Sequence, residues 1–530
     1  MKQCTKCGKR YTDETLNFCL DDGEWLVDQY SAPDPPTVIF PPSTAAKGSA
    51  AYASSSKILP TSDDTRSIAV LPFANVSADP DNEYFCDGLA EELLNALSKI
   101  EGLRVVARTS AFSFKGKNID ATEIGEALRV DTILEGSVRK SGSKVRVTAQ
   151  LVNAADGYHL WTERYDRELR DIFDVQDEMT LAIVDSLRLK LLGHGRASVL
   201  KRYTENTEAY HLYLRGRFYW NKRSSSAYAQ AIEYFEHAIE LDPGYALAYS
   251  GIADCYNSSG FSLDVGSLPT NEIASKAKSA ALKALEIDDT LAEAHTSLAY
   301  ARQLFDWDWE TAEEGFRKAI DLNPNYANAH HWYSHLLVAM KRFAESLVHS
   351  RLALEIDPLS VVMNTHLGWH YLYAREYDSA VRQLQNALCI DPEFLHAHWY
   401  LALSYEQKEM FSEAESEFRA ALTPTDDTLA IEADAAHFYG VSGQEAKAKS
   451  IVLKLERLAE KQYVSSFGLA LAHLGLGDTD RTFRYLDRSL RERSDMLVYL
   501  EVDPRLEPLR DDPRYVDLAR RVGLPLSGRS

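Results

Sequence analysis

The sequence lacks the features of a membrane, secreted or nucleic-acid-binding protein. No apolar run approaches the roughly 18 residues of a membrane-spanning helix, and the amino terminus MKQCTKCGKRY has no apolar signal-peptide core. Positive charge is in deficit, since 58 Lys and Arg stand against 79 Asp and Glu and leave a net charge of −21. We therefore expect a cytoplasmic protein with no membrane span and no general affinity for nucleic acid.

Cysteine is also scarce, with six residues in a chain of 530. Three of the six, Cys4, Cys7 and Cys19, lie within the first nineteen residues, and the other three are isolated in helical patterns. This distribution suits a metal site and separate buried thiols better than a disulfide framework.

Motifs of the common enzyme classes are missing as well. The sequence contains no P-loop of the form GxxxxGK[ST], no kinase motif set and no HExxH. We therefore predict that the protein is not an enzyme. The pairs His331 with His335 and His366 with His370 are spaced to grip a metal on a helix, but we favour packed or solvent-facing histidines there because the metalloprotease glutamate is missing.

Composition divides the first part of the chain. Residues 28–66 are rich in Pro, Ser and Ala and show no sustained periodicity, which predicts a disordered linker. Residues 67–195 alternate short apolar runs such as SIAVLPF with helical stretches such as GLAEELLNALSKI, and a strand meander opens at residue 132. This pattern predicts a two-layer α/β domain with a mixed sheet.

Residues 205–526 carry a helical repeat. Tripeptides of an apolar residue, Asp or Asn, and Pro end successive helices, and Pro324, Pro358 and Pro392 stand 34 residues apart. Small residues and aromatics recur between them, where paired helices cross and where neighbouring hairpins meet. A period near 34 with a helix-ending proline predicts an all-α superhelix of about eight hairpins.

Three regions resemble known families. The segment from SIAVLPF to DVQDEM, which is most of residues 67–192, resembles the TolB amino-terminal-like, or FlgO-like, domain. The helical region, with segments such as LNPNYANAHHWYSHLL, resembles the tetratricopeptide arrays that follow this domain in bacterial signalling proteins. The head of such proteins is commonly a kinase, a nucleotide cyclase or a winged-helix module, and this chain has a small ribbon in its place.

Residues 1–27 resemble bacterial zinc ribbons whose second knuckle ends in CxxDG. The resemblance implies one structural zinc ion held by Cys4, Cys7, Cys19 and Asp22. Asp21 is a less favoured fourth ligand, and a degenerate ribbon without metal is the alternative. The expected fold class is thus multidomain: a small zinc ribbon, a two-layer α/β domain and a tetratricopeptide superhelix.

Two further places could bind ligands. The segment RTSAFSFKGK lies beside a strand end, where α/β folds often receive ligands, and it could bind an anion or nucleotide through Arg108, Lys115 and Lys117. We favour a capped loop whose phenylalanines plug the core. The neighbouring pair Glu91 and Glu92 is interpreted as the solvated face of a helix.

The second place is the concave face of the superhelix, which the first helix of each hairpin lines. Aromatic and hydrogen-bonding side chains predicted on this face suit a peptide site. They are Asn328, His331, His335, Thr365, Trp369, Tyr373, His396 and Trp399. The alternative is that the carboxy-terminal cap or the neighbouring domain covers them.

The sequence therefore predicts a non-catalytic adaptor or regulatory scaffold in bacterial signalling that binds a protein or peptide in this groove. One alternative is a ligand sensor whose TolB-like domain binds a small anion or nucleotide. A lesser alternative is a transcription-associated regulator acting through the zinc ribbon. The oligomeric state is left open.

Overall fold

The computed structural model describes residues 66–100, 102–117, 119–187, 201–222, 224–259, 270–422 and 429–525, together with three short amino-terminal strands. The chain divides into two compact units, Met1–Pro60 and Thr61–Ser530.

The amino-terminal unit contains a small antiparallel sheet of the strands β1 (Lys2–Cys4), β2 (Arg10–Tyr11) and β3 (Leu26–Asp28), in the order β2-β1-β3. Cys4 is the last residue of β1. The other predicted zinc ligands, Cys7, Cys19 and Asp22, lie outside the described residues, as does the predicted linker from residue 29 to 65. The zinc site therefore stays a prediction.

The second unit begins with a mixed sheet, as predicted from the sequence. Its strand order is β6-β4-β7-β8-β9, and β5 also pairs with β7. β4 runs parallel to β6 and β7, whereas β7, β8 and β9 form an antiparallel meander. The strands are β4 (Arg66–Val70), β5 (Ala74–Asn75), β6 (Leu103–Val105), β7 (Thr132–Ser141), β8 (Lys144–Asn153) and β9 (His159–Glu168).

Helices cover both faces of the parallel half of this sheet, so the predicted two layers become three. Ile68 and Val70 of β4 pack into the cluster formed with α1 and α4, while Ala69 and Leu71 point the other way, into the cluster with α3. All four are buried, which requires apolar cover on each side. The helices are α1 (Glu83–Ser98), α2 (Arg108–Phe112), α3 (Ala121–Leu128) and α4 (Ile172–Ser186).

The described residues from 207 to 492 form eight consecutive helical hairpins, in which the two helices of each pair pack against each other. The first four hairpins are α5 (Thr207–Trp220) with α6 (Ser225–Leu241), α7 (Ala246–Ser259) with α8 (Thr270–Ile287), α9 (Ala292–Ala301) with α10 (Trp309–Leu322), and α11 (Ala327–Ala339) with α12 (Phe343–Ile356). The last four are α13 (Val361–Tyr373) with α14 (Tyr377–Ile390), α15 (Leu395–Gln407) with α16 (Phe411–Ala421), α17 (Leu429–Val441) with α18 (Glu445–Leu458), and α19 (Ser466–Gly475) with α20 (Thr479–Glu492).

The turn inside six successive hairpins contains a residue in the left-handed backbone conformation. These residues stand 34 positions apart: Trp307, Lys341, Arg375, Glu409, Gly443 and Gly477. Two are glycines, for which a positive φ carries no steric cost, and four are not. The backbone thus repeats with the same period as the helix-ending prolines, even where the residue type gives no turn signal.

The carboxy-terminal segment caps the array and turns back into its concave side. It consists of two 3-10 helices, Asp495–Tyr499 and Pro504–Leu509, followed by α21 (Pro513–Val522). Trp309 Nε1 at the start of α10 donates to the carbonyl oxygen of Val522 at 3.1 Å. In the part of the chain that the structure describes, no helix has both the length and the apolar character needed to cross a bilayer.

Candidate functional site

The helix-ending turns of the repeats hold the α/β domain against the array. Asp357 Oδ1 accepts hydrogen bonds from the backbone N–H of Ser110 at 2.9 Å and from its hydroxyl at 2.5 Å. One repeat earlier, Asn323 Nδ2 donates to Ser98 Oγ at 3.1 Å. Asn325 Nδ2 donates to two carbonyl oxygens of the α/β domain at 2.9 and 3.0 Å. Asn323 and Asp357, each of which precedes a repeat proline, therefore have a second role besides ending their helices.

The same position contacts the chain before α5 in the first two repeats. Asp242 Oδ2 accepts from the hydroxyl of Thr204 at 2.5 Å, and Asp288 pairs with the ammonium of Lys201 at 2.7 Å. Four successive repeat turns thus contact residues that precede the array. The sequence motif marked these residues as helix ends but gave no signal of this docking role.

A buried ion network crosses the same interface. Glu91 of α1 is only 4% exposed, and its carboxylate lies 2.9 Å from Arg108 Nε and accepts from Arg217 Nε of α5 at 2.9 Å. Burial opposes ionisation, but the Arg217 and Arg108 charges outweigh it and lower the pKa of the carboxyl group. Glu91 therefore does not belong to a solvated helix face as the sequence suggested.

The basic residues of the predicted ligand segment do not converge on one point. The Arg108 guanidinium stacks on Phe112 at 4.0 Å besides contacting Glu91, and Lys115 Nζ lies 2.7 Å from Asp87. Lys117 lies over the ring of Phe114 at 5.9 Å. The charges of Arg108 and Lys115 are thus offset by carboxylates of α1. The phenylalanines pack against the core below, which corresponds to the favoured alternative of a plugged segment.

A cavity of about 600 Å³ lies between this interface and the concave face of the repeats. Its walls come from α1 and α2 on one side and from the repeat helices on the other. The polar lining includes the charged residues Glu91, Arg108, Arg217, Asp357 and Asp391 as well as hydroxyl groups. Its amides and imidazoles are Asn95, Asn221, Asn257, Asn323, Asn325, Asn328, His331, His335, His366 and His396. The aromatic lining consists of Phe112, Trp220, Tyr228, Tyr300, Tyr326, Trp332 and Phe394.

Two of the lining amides offer unused acceptors. The side-chain oxygens of Asn257 and Asn325 are buried and have no hydrogen-bond partner among the described residues. Asn257 is held in place because its Nδ2 donates to the carbonyl oxygen of Ser297 at 2.8 Å. A buried acceptor without a partner costs about 1–3 kcal/mol.

Half of the groove residues predicted from the sequence face this cavity. Asn328, His331 and His335 of α11 and His396 of α15 belong to its wall. They come from first helices of their hairpins, whose concave sides are adjacent in the array.

The other half of the predicted groove is covered. Tyr499 of the carboxy-terminal cap packs on Trp369 and Tyr373, with ring centroids 4.7 and 5.8 Å apart. Trp399 is 7% exposed and its Nε1 donates to a carboxylate of α17 at 2.9 Å, and Thr365 is fully buried. For Trp369 and Tyr373 the structure shows the alternative of a covering cap, whereas Trp399 is buried against the repeat helix α17.

Three histidines come together across neighbouring helices at the cavity wall. His331 Nε2 and His366 Nδ1 are 2.8 Å apart, and the ring of His335 lies 4.7 Å from the first and 4.9 Å from the second. Burial holds the pKa of His335 and of His366 well below the ordinary value, and the neighbouring imidazoles lower it further. His370, which the sequence paired with His366, instead contacts the hydroxyl of Ser350 at 2.9 Å.

Glu92, next to the ion network, should make the stability depend on pH. Burial and the charge of Glu91 raise the pKa of its carboxyl group to about 7, against 4.5 ordinarily. Between pH 4.5 and about pH 7, Glu92 is deprotonated in the unfolded chain but still protonated in the folded one. The free energy of unfolding therefore falls as the pH rises through this range, and it falls no further above about pH 7. We expect Glu92→Gln to be more stable than the wild type at pH 8, by up to about 3 kcal/mol, and equal to it near pH 4.

Denaturant unfolding of both proteins across this pH range is the measurement. Glu123→Gln, which changes an exposed glutamate of α3, is the matched control and should leave the pH curve unchanged. A Glu92→Gln gain of the same size at pH 4 and pH 8 would contradict the raised pKa.

Comparison with known proteins identifies parts of the chain. Residues 212–245 and 366–427 match profiles of tetratricopeptide repeats, which confirms that assignment for the helical array. Residues 64–182 match the profile of the second domain of HilA/YgeH-like transcriptional regulators. The α/β domain is thus similar to that regulator domain, and its TolB-like character stays a prediction.

Individual relatives cover the chain only in part. A putative adenylate cyclase 3 of Rhizobium meliloti (strain 1021) is 38% identical over 235 residues, which are 44% of this chain and 40% of the relative. Superkiller protein 3 of Schizosaccharomyces pombe is 25% identical over 231 residues, 42% of this chain and 15% of the relative. The chain therefore spans less than half the length of these curated relatives.

A solved tetratricopeptide protein from Thermus thermophilus also matches. It has 17% identity and a TM-score of 0.32, and the match covers 37% of this chain and 98% of that protein.

Proposed function

We propose that this chain is a non-catalytic scaffold that holds a short segment of a protein partner in the cavity between its α/β domain and the repeats. The tetratricopeptide assignment supports an interaction scaffold in general. The observation that carries the specific proposal is the cavity itself, whose lining combines amide and aromatic side chains.

The chemistry of the lining favours a peptide. An amide side chain both donates and accepts, so Asn328 can pair with the N–H and C=O groups of a peptide backbone. Tyr300 and Trp332 stack with their ring centroids 4.4 Å apart and present an apolar wall for a side chain of the partner. Pockets with apolar walls and a few placed polar groups are typical ligand sites.

The size of the cavity limits the segment to a short one. Because the cap covers Trp369 and Tyr373, a peptide cannot run along the whole concave face. The remaining space of about 600 Å³ lies within the roughly 300–1,000 Å³ range of small-ligand pockets. We therefore expect a chain terminus or a tight loop as the bound element.

We also propose that the chain acts without catalysis. Glu91, the buried acid of the cavity wall, is bound by Arg108 and Arg217, which keeps it ionised and engaged. The similarity to a protein named as a putative adenylate cyclase and to a domain of transcriptional regulators supports a regulatory setting in bacterial signalling.

A small-molecule sensor is the second candidate. The cavity walls come from both the α/β domain and the repeats, so any occupant would bridge them and stabilise their docking. The anion site predicted at Arg108, Lys115 and Lys117 does not supply this function, since two of these cations are already paired with carboxylates. The sensor candidate therefore rests on the cavity alone.

Blocking the cavity tests the scaffold proposal. Peptides are selected from a phage-displayed library on the immobilised full chain, and the Kd of the best one is measured by fluorescence anisotropy. Asn328→Trp places a large ring in the cavity and should weaken binding by about a hundredfold. Val348→Trp adds the same ring at an exposed position of the second helix of that hairpin and should change the Kd less than about twofold.

Two results would count against a peptide site here. An unchanged Kd in Asn328→Trp would place the peptide elsewhere on the chain. Failure to select any peptide, together with thermal stabilisation by a nucleotide or metabolite that Asn328→Trp abolishes, would favour the sensor instead.

A further inference from the structure

We propose that His331, His335 and His366 form a binding site for a divalent transition metal ion such as Zn²⁺, with an open coordination position that faces the cavity. The proposal is independent of the zinc ribbon predicted at the amino terminus. It concerns the wall of the cavity and not the identity of its occupant.

The geometry brings three ligand atoms to one point. One nitrogen from each ring lies within 4.8 Å of the other two. In the part of the chain that the structure describes, no other three ligand-type residues are spaced in this way. A tetrahedral zinc with Zn–N distances of 2.0–2.1 Å places its nitrogens about 3.3 Å apart. The pair at 2.8 Å must therefore separate slightly and the third ring must approach, which rotation of the imidazoles can achieve.

The fold fixes two of the three ligands on one helix. His331 and His335 are four residues apart on α11, so both project from the same side of that helix. His366 lies on α13, the first helix of the next hairpin, and its ring stacks on that of His331 with centroids 4.9 Å apart. Trp369 packs against His335 and His366, with ring centroids 5.2 and 5.6 Å away.

The chemistry of the three groups suits such an ion. Imidazole nitrogen is a preferred ligand of Zn²⁺, and three protein ligands leave one position of a tetrahedron free. All three histidines line the cavity, so that position would hold water or a group of the cavity's occupant. Binding replaces the hydrogen bond between His331 and His366. The ring that donates it moves its proton to its other nitrogen, so metal binding itself need not release a proton.

A second histidine pair, His330 with His349, serves as a comparison because its rings pack together without forming a group of three ligands. His330 Nδ1 and His349 Nδ1 are 2.9 Å apart with stacked rings, but no third ligand-type residue joins them among the described residues. The trio therefore differs from this pair in having a third convergent nitrogen and an opening toward a cavity.

Metal titration of the full chain tests the site. Metal-free protein is titrated with Co²⁺, followed by its visible spectrum, and with Zn²⁺, followed by competition with a chromophoric chelator and by thermal unfolding. His366→Gln removes one proposed ligand, and His396→Gln removes another histidine of the cavity wall as the matched control. Both variants keep the amino-terminal cysteines, so any zinc bound there cancels in the comparison.

We expect the wild type and His396→Gln to bind one more equivalent of metal than His366→Gln, or to bind it at least about a hundredfold more tightly. The difference spectrum with Co²⁺ should show a tetrahedral site without thiolate charge-transfer bands. Equal stoichiometry and affinity in the wild type and His366→Gln would overturn the proposal, and so would an equal loss in His396→Gln. If His366→Gln does not fold, His331→Gln takes its place. A wild-type Co²⁺ spectrum that shows thiolate features alone would also overturn the proposed histidine site.

Discussion

Replacement of Arg505 by methionine is expected to lower the free energy of unfolding by about 3–5 kcal/mol, since it leaves two buried carboxylates without their cation. The Arg505 guanidinium lies 2.7 Å from Asp434 of α17 and 2.7 Å from Asp503 of the cap, and its side chain is only 4% exposed. Burial raises the pKa of Asp434 even with the arginine present. Burial also acts to raise the pKa of Asp503, but there the charge and hydrogen bonds of Arg505 outweigh it and lower the pKa. Chemical denaturation of the full chain is the measurement.

The pH dependence of this loss separates charge from packing. Without Arg505 the two carboxyl groups should bind protons more tightly when folded than when unfolded, so the deficit should shrink as pH falls toward 4. A deficit of the same size at pH 4 and pH 8 would mean that lost packing is the cause. Arg514→Met, which removes an arginine that is 48% exposed and paired with Asp512, is the control and should have little effect.

Glu91→Ala should have the second large effect, a loss of about 3–5 kcal/mol, because the Arg108 and Arg217 charges would then face each other across a buried interface. The loss should concentrate where the α/β domain meets the array. We therefore expect faster amide hydrogen exchange in α1 and α5, measured by mass spectrometry, together with the lower unfolding midpoint.

Two variants define what the Glu91 result means. Glu91→Gln keeps the shape and an acceptor but loses the charge, so its loss should be smaller than that of alanine. Glu83→Gln breaks the ion pair of Lys115 with a glutamate that is 51% exposed and should cost less than about 1 kcal/mol. Unchanged hydrogen exchange in α1 and α5 of Glu91→Ala would contradict a role of the network in docking.

The two buried networks each hold a flanking segment against the repeat array. Arg505 holds the cap whose Tyr499 covers Trp369, and Glu91 holds the α/β domain beside the cavity. The cap and the α/β domain each cover part of the concave surface that tetratricopeptide repeats usually present, and the cavity of about 600 Å³ lies beside the α/β domain. A scaffold built in this way should select a short, specific segment and exclude extended peptides.

The sequence predicted the candidate site in part. It placed Asn328, His331, His335 and His396 on the concave face because the repeat register determines which side of a helix faces inward. It could not tell that the cap covers Trp369 and Tyr373, since an inward aromatic looks the same in sequence whether it meets solvent or another segment. The sequence also paired His366 with His370, because the two are four residues apart on one helix. The structure instead brings His366 against His331, which lies 35 residues earlier in the chain.

The sequence by itself determined the mixed sheet and the 34-residue period with its helix-ending prolines. These features depend on local patterns, namely apolar periodicity and turn residues, which act over a few residues. Only the tertiary structure decided that Asp357 docks Ser110, that Glu91 lies buried between two arginines and that three histidines meet at a cavity. Those contacts join residues from about 17 to nearly 250 positions apart, and no local pattern specifies which distant surface will cover a given face.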